Sequence, residues 1–299
     1  MPLPRRTLPR HPLTIALTLS LGACSSLAPP EPVGPPAREE IVAVSVSNQL
    51  LRFNAGQPQQ LRDRRPLAGL AAGETLLGID YRVARGELYA LGATGQLYRI
   101  DVAAAKATAI GTPVALPTAS PEWGFDFNPT VDRIRVVNAA GWNLRLHPDT
   151  GALVDSDPNT TGLQFDGRLA YDAGDVNAGK AANVVAAGYS YNKLNDRITT
   201  NYALDGAAGL LLHQGTKEGV APLVSPNTGR LYTVGSLGIG AFNHATFDIS
   251  DITPTAYAGV RTAGATATRW HRVDLTTGRA TFIGTVGGGE PLVGAAIEP

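Results

Sequence analysis

The sequence is poor in sulfur and in lysine. Among 299 residues there is one cysteine, Cys24, and one methionine, and only four lysines stand beside many arginines. A single thiol closes no internal disulfide, so the domain has to be held by burial alone. An excess of either charge is missing as well: 25 basic residues balance 25 acidic ones, which excludes the basic footprint that nucleic-acid binding requires. Segments with helical period are few. The apolar run near the start, Leu13 to Leu21, falls well short of the roughly 20 residues of a membrane-spanning helix.

What is present begins with an export signal. In "MPLPRRTLPRHPLTIALTLSLGAC", Arg5, Arg6 and Arg10 precede that apolar run, the order of charge and hydrophobicity in a signal peptide. Leu21-Gly22-Ala23-Cys24 resembles the lipobox of bacterial lipoproteins. The resemblance implies cleavage of residues 1–23, with acylation of the Cys24 thiol and of the new amino terminus. Two or three acyl chains suffice for firm membrane attachment, at about 0.8 kcal/mol per buried methylene. Ser25 after the cysteine, in place of an aspartate, resembles lipoproteins sent to the outer membrane of Gram-negative cells, on its periplasmic or its surface face. Loss of three arginines and no acid leaves 22 basic against 25 acidic groups, a mature net charge of −3. Residues 24–40 include the proline-rich "LAPPEPVGPPAREE", which sustains neither helix nor strand ladder and reads as a semi-rigid tether. The domain proper is expected over residues 41–299.

That domain repeats. "LLGIDYRVARGELYALG", "EWGFDFNPTVDRIRVVN", "RLAYDAGDVNAGKAANVVAAG" and "ATFDISDITPTAYAGV" each run from apolar residues into Asp, then turn formers, then apolar residues again. Asp80, Asp126 and Asp172 are spaced at 46 residues, the size of a propeller blade. A second signature follows: "QLYRIDVAAAKATAIG", "NLRLHPDTGALVDS" and "TRWHRVDLTTGRATFIG" read as strand pairs, with Gly151 and Gly278 where a turn wants positive φ. Short strands in fours with glycine turns argue for an all-β propeller. The C-terminal "PLVGAAIEP" reads as a first strand and "IVAVSVSNQLLRFNAG" as the strands after it; pairing them closes the ring and removes its open edges. Five blades are expected, with six as the alternative, because Asp172 to Asp248 is too long for one unit and "SPNTGRLYTVG" fits either a long blade or an extra one.

The motifs "GFDFNPTVDRIRVVNAAGWNLRLHPDTG", "YDAGDVNAG", "LGIDYRVARGELYALG" and "VDLTTGRATFIGTVGGGEPLVGAAI" resemble an exported bacterial family of unknown function, domain of unknown function 4394. The resemblance runs from Ile41 to the end of the chain. It implies a propeller-like exported domain and transfers no catalytic residue. The segment from Gly188 to Gly229 departs from the family pattern.

Several local motifs fail their context tests. "GDVNAGKA" (174–181) lacks the hydroxyl of a phosphate loop and is followed by strand-like "NVVAAGYSY" instead of a helix, so no nucleotide site is expected. "GYSYN" around Ser190 lacks the final glycine and the helix of a nucleophile elbow. His147, His213, His244 and His271 have no metal-ligand spacing. Asp172, Asp175 and Asn177 offer hard oxygens for a calcium loop without its terminal bidentate Glu, and read more simply as Asx turns.

Asp80, Asp126, Asp172 and Asp248 end the first strand of their units, which in a propeller is innermost, so they are expected to ring one mouth of the channel, with Ala296 in the fifth place. Two answers to their mutual repulsion are open: a hard cation such as calcium, or hydrogen bonds from each residue's own following turn. On the second, Asp126→Asn should cost about 1 kcal/mol as a lost charge-assisted cap. The function expected is a lipid-anchored envelope module that binds a protein or small ligand and needs no cofactor; the alternative is a metal-dependent hydrolase or lactonase-like enzyme. The fold does not decide between them.

Overall fold

Runs such as "IVAV" are apolar at odd and even positions alike, and a strand with such a sequence has to be covered on both faces. The computed structural model describes residues 1–2, 31–117, 120 and 122–299; residues 3–23 of the signal segment, Cys24 and the first four residues of the proline-rich run, 27–30, lie outside the described residues. In chain order, β1 (Glu40–Ser45), β2 (Gln49–Asn54) and β3 (Leu61–Pro66) begin the first sheet. The second holds β4 (Leu76–Arg82), β5 (Glu87–Gly92), β6 (Leu97–Asp101) and β7 (Lys106–Ile110), and the third β8 (Trp123–Asn128), β9 (Arg133–Asn138) and β10 (Asn143–Leu146). The fourth takes β11 (Ala170–Tyr171), β12 (Val184–Tyr189), β13 (Asn201–Asp205), β14 (Leu210–Gln214) and β15 (Arg230–Ser236). The fifth takes β16 (His244–Ile249), β17 (Ala256–Arg261), β18 (Arg269–Val273) and β19 (Ala280–Thr285), and β20 (Leu292–Ile297) returns to the first. The result is a five-blade propeller.

The strand order β20-β1-β2-β3 puts the C-terminal strand at the inside of the first blade, in antiparallel register with β1 from Ile41↔Ile297 to Ser45↔Leu292. Around the axis, β4, β8, β12, β16 and β20 touch in ring order. Five apolar clusters fill the five junctions between neighbouring blades. Strand β1 shows why its sequence does not alternate: Val42 and Val44 enter the core shared with β4 and β5, while Ile41 and Ala43 enter the core shared with Tyr257 and Trp270. Small residues let the inner strands approach. A Cβ on Gly124 would stand 2.7 Å from the Ala187 nitrogen, and one on Gly294 would stand 2.9 Å from the Ile79 nitrogen. The turn glycines behave as their sequence suggests, Gly151 at φ 70° and Gly278 at φ 81°.

The fourth blade departs from the sequence reading. Asp172 follows β11, a two-residue strand paired in parallel with β15 at the outer edge of the sheet, and the innermost strand is β12. The excess length goes into this extra strand and into the loops 190–200 and 215–229, which makes a long blade rather than a sixth one. The end of the expected tether also joins the domain. Asn54 bonds Ala37 through its Oδ1 and its Nδ2, and the buried Glu39 accepts from Tyr257 Oη at 3.0 Å.

Deleting residues 291–299 should remove the inner strand of the first blade, strip two junction cores of Leu292, Ala295, Ala296 and Ile297, and expose the β1 edge. At about 25 cal/mol per Å² of apolar surface this amounts to several kcal/mol. The expected outcome is loss of the cooperative melt or self-association in size-exclusion chromatography. A truncated chain that stays monomeric and melts with the parent would contradict ring closure.

Candidate functional site: the axial aspartates and the face around them

One edge of every inner strand faces the axis and has no strand to pair with, so its amides need other acceptors. Three aspartates supply them, one each from the repeated "GID", "GFD" and "TFD". Oxygens of Asp80, Asp126 and Asp248, all buried, lie within 4.8 Å of one another. Each carboxylate reaches into the next blade. Asp80 Oδ2 accepts from the Phe127 amide at 2.7 Å, Asp126 Oδ1 from Tyr189 at 2.9 Å, and Asp248 Oδ2 from Ile297 at 2.6 Å. At the places equivalent to Gly188 and Ala296 there is no carboxylate, and the following blade uses its own. The Ile249 amide donates to Asp248 Oδ1 at 2.6 Å, and the Tyr81 amide acts on Asp80. Three side chains thus serve one amide on each of the five inner strands.

This corrects two sequence expectations. Asp172 does not join the ring; Gly188 holds its place, where Phe247 Cδ1 would stand 2.9 Å from a Cβ. Nor does each aspartate cap its own following turn: the principal bond crosses to the neighbouring blade.

Burial, and after it the neighbouring carboxylate Asp248, holds Asp80 well above the usual carboxylate range, against the pull of its two amides. Asp126 is raised in the same way by burial, then by Asp80 and Asp248. Burial pushes Asp248 up to about 7. At the mouth where the inner strands end, Tyr191 is raised by burial and then by the three carboxylates and Asp251. All three shifts favour the protonated form over three full charges held together. An oxygen separation of this size would also suit one hard cation at 2.3–2.6 Å from each ligand. The channel beside the cluster, lined by Gly78, Gly124, Ala186, Thr246 and Gly294, encloses about 20 Å³, room for roughly one water.

The remaining sequence candidates stand apart from the axis. Asp172 Oδ1 accepts from the Gly174 amide. Asp175 clasps the Thr233 amide at 2.6 Å and the Asn177 amide at 2.8 Å, and Asn177 Oδ1 accepts from Lys180 Nζ. The oxygens of this run are engaged as Asx turns and as a clasp onto β15. The loop "GDVNAGKA" leads into strand β12. Ser190 Oγ accepts from the Thr200 amide. The histidines lie apart, with burial holding His213 and His271 below the usual imidazole range.

Sequence reasoning passed over two polar groupings. Glu122 and His244, before β8 and at the start of β16, pair at 2.5 Å at the end where the inner strands begin. In the third blade, the buried Arg135 donates to Tyr189 Oη at 3.2 Å, Asn143 Oδ1 at 2.7 Å, Asp166 Oδ2 at 2.5 Å and Asn227 Oδ1 at 2.6 Å. Arg145 grips the same Asp166 through Nε and Nη2. Beside them is a recess of about 300 Å³. The signal was in "DRIRVV": two arginines alternating with apolar residues in a strand whose neighbours are all buried.

The carboxylate cluster makes stability depend on pH. Each folded-state pKa is raised above the ordinary 3.8, so the folded chain binds more protons than the unfolded one between about 4 and, for Asp248, about 7. Stability contributed by the cluster is therefore expected to fall as pH rises from about 4, the share of Asp248 being lost by about 7. Asp126→Asn keeps an acceptor for Tyr189 and removes one charge, so in metal-free urea titrations it should flatten this slope and cost nothing at pH 8. Asp126→Ala leaves the amide unanswered and should cost about 1–3 kcal/mol. Equal damage from both variants at pH 8 would show that charge, and not the acceptor, is what the site requires.

No curated protein matches the chain at a significant level. Among solved structures, the chain is similar to one from a nidogen/laminin complex (10% identity, TM-score 0.42, 87% of this chain and 98% of that one). It is also similar to a structural-genomics protein of unknown function from Bacteroides thetaiotaomicron (12%, TM-score 0.45, 81% and 56%) and to TolB from Acinetobacter baumannii (10%, TM-score 0.42, 83% and 53%). The match spans little more than half the length of the last two. Residues 49–296 match the family model described as Domain of unknown function (DUF4394), and the chain belongs to that family.

Proposed function

We propose that the chain is a lipid-anchored propeller of the cell envelope that binds a ligand or protein partner on an end face and not in its axis. The observation that carries this reading is the channel: about 20 Å³ of space, beside aspartates already engaged by the inner-strand amides. Anything larger than a water has to meet the protein elsewhere. The end at which the inner strands finish carries the turn 129–132 and the long loops 190–200 and 215–229, with Val131, Leu194 and Leu223 exposed. Anchoring rests on the lipobox-like segment, with Cys24 as the acylated residue and Ser25 favouring the outer membrane. Attachment through lipid leaves the end faces free to meet a partner.

One observation favours a second reading, the close approach of Asp80, Asp126 and Asp248. A calcium ion held there would answer their repulsion and supply the Lewis acid of a hydrolase or lactonase-like reaction. The two readings diverge on chelation. For the binding module, a chelator should leave the melting temperature unchanged. For the metal enzyme it should lower it, and calcium affinity should weaken as pH falls below about 7, where protons compete for Asp248.

Anchoring has its own test. Cys24→Ser is expected to move the protein from the membrane fraction to the soluble fraction with an unchanged melting temperature, since no contact of the propeller core depends on acylation. Recovery of the variant in salt-washed membranes would refute it.

A further inference from the structure

The recess in the third blade is bordered by the polar Asn128, Arg133, Arg135, Arg145, Tyr189 and Asn227, with Val131 and Val154 as its apolar wall, and encloses about 300 Å³, the lower end of the range for small-molecule sites. Its charge does not balance. Three guanidinium groups line it, and one carboxylate, Asp166, pairs with Arg135 and Arg145, which leaves a net of two positive charges. Asp132, which precedes Arg133 in the chain, forms its ion pair with the buried Arg82 of the second blade.

The hydrogen-bond inventory points the same way. Asn128 Oδ1 is taken by the Thr130 amide and hydroxyl. Asn227 Oδ1 is taken by Arg135 Nη2 and the Tyr189 oxygen by Arg135 Nε. Asp166 accepts on both oxygens from Arg135 and Arg145. With these acceptors engaged inside the protein, the groups left to meet a ligand are donors: the Asn128 and Asn227 amide nitrogens, the Tyr189 hydroxyl proton, Arg145 Nη1, and Arg133, whose bond to the neighbouring Asp132 carbonyl uses Nη1. A lining of donors with excess positive charge is complementary to an oxyanion, and planar guanidinium forks bind carboxylate or phosphate in bidentate fashion.

We infer that this recess is a binding site for a small molecule bearing a carboxylate or phosphate group, with Arg133 and Arg145 holding the oxyanion and Asn128, Asn227 and Tyr189 directing its remaining oxygens. Arg135 is a positioning residue: its four bonds fix Tyr189, Asn143, Asn227 and Asp166, and Asp166 in turn aims Arg145. The inference deepens the reading of an end-face binding module and rests on it. Membrane attachment through Cys24 is read out separately, so failure of the site leaves the anchoring test intact.

The test is a melting titration with inorganic phosphate and, in parallel, succinate, each against sodium chloride at matched ionic strength. A saturable rise in melting temperature is expected with at least one of them, phosphate alone identifying a phosphoryl ligand and succinate alone a carboxylate. Arg133→Gln should weaken that response about tenfold or more, the loss expected for one charge-assisted hydrogen-bonding group. Arg133→Lys, which keeps the charge without the fork, should fall between that variant and the parent. Arg62→Gln removes the same charge at a residue paired with Glu40 on the first blade and should respond like the parent. If neither anion exceeds sodium chloride, or if Arg133→Gln responds like Arg62→Gln, the site is refuted.

Discussion

The structure depends on how five inner strands dispose of the backbone edge they turn toward the axis. A propeller blade pairs its strands outward, so the innermost edge is the one place where amide groups are buried without a ladder. Asp80, Asp126 and Asp248 answer one amide on each of the five, through bonds that cross from one blade to the next at Phe127, Tyr189 and Ile297 and through bonds within their own strands at Tyr81 and Ile249. These bonds act with the apolar junction cores, and both are completed when β20 docks against β1. Closure of the ring and satisfaction of its axis are one event.

Burying three carboxylates together has an electrostatic cost: burial holds all three above the ordinary carboxylate range, and for Asp80 and Asp126 a neighbouring carboxylate of the cluster adds to it. Backbone amides lower that cost at each of the three carboxylates. The same closeness narrows the axis. Gly78, Gly124 and Gly294 let neighbouring strands touch, and the space that remains admits about a water. On the binding role proposed above, recognition falls to the loops at the strand ends.

The third blade shows a different way of covering an edge. It has three strands, with a single bridge from Leu146 to Leu153 where a fourth would run. The chain from 154 to 169 lies across the gap, and Asp166 from that stretch pins Arg135 and Arg145. Polar contacts do here what a strand ladder does in the other blades. The geometry leaves a recess whose remaining groups are donors, something a complete fourth strand would have filled.

Period and punctuation in the sequence were enough to determine the strands, the turns at Gly151 and Gly278, the closing role of "LVGAAI" and the innermost placement of Asp80, Asp126 and Asp248, because each follows from local apolar runs and from a repeat of 46 residues. Asp172 misled because "LAYDAG" is locally the same pattern. Whether such a run becomes an inner strand or an outer edge is decided by which strand it meets, and β11 meets β15 some sixty residues away. The partner of each axial carboxylate was likewise beyond local reading, since the amide it binds belongs to a neighbouring blade, 47 to 63 positions distant. The arginine recess gathers residues 128, 133, 145, 189 and 227, and no spacing rule relates them. Only the packing of the third blade against the fourth brings their donors together, because it sets these two blades side by side and fixes which acceptors are used up inside.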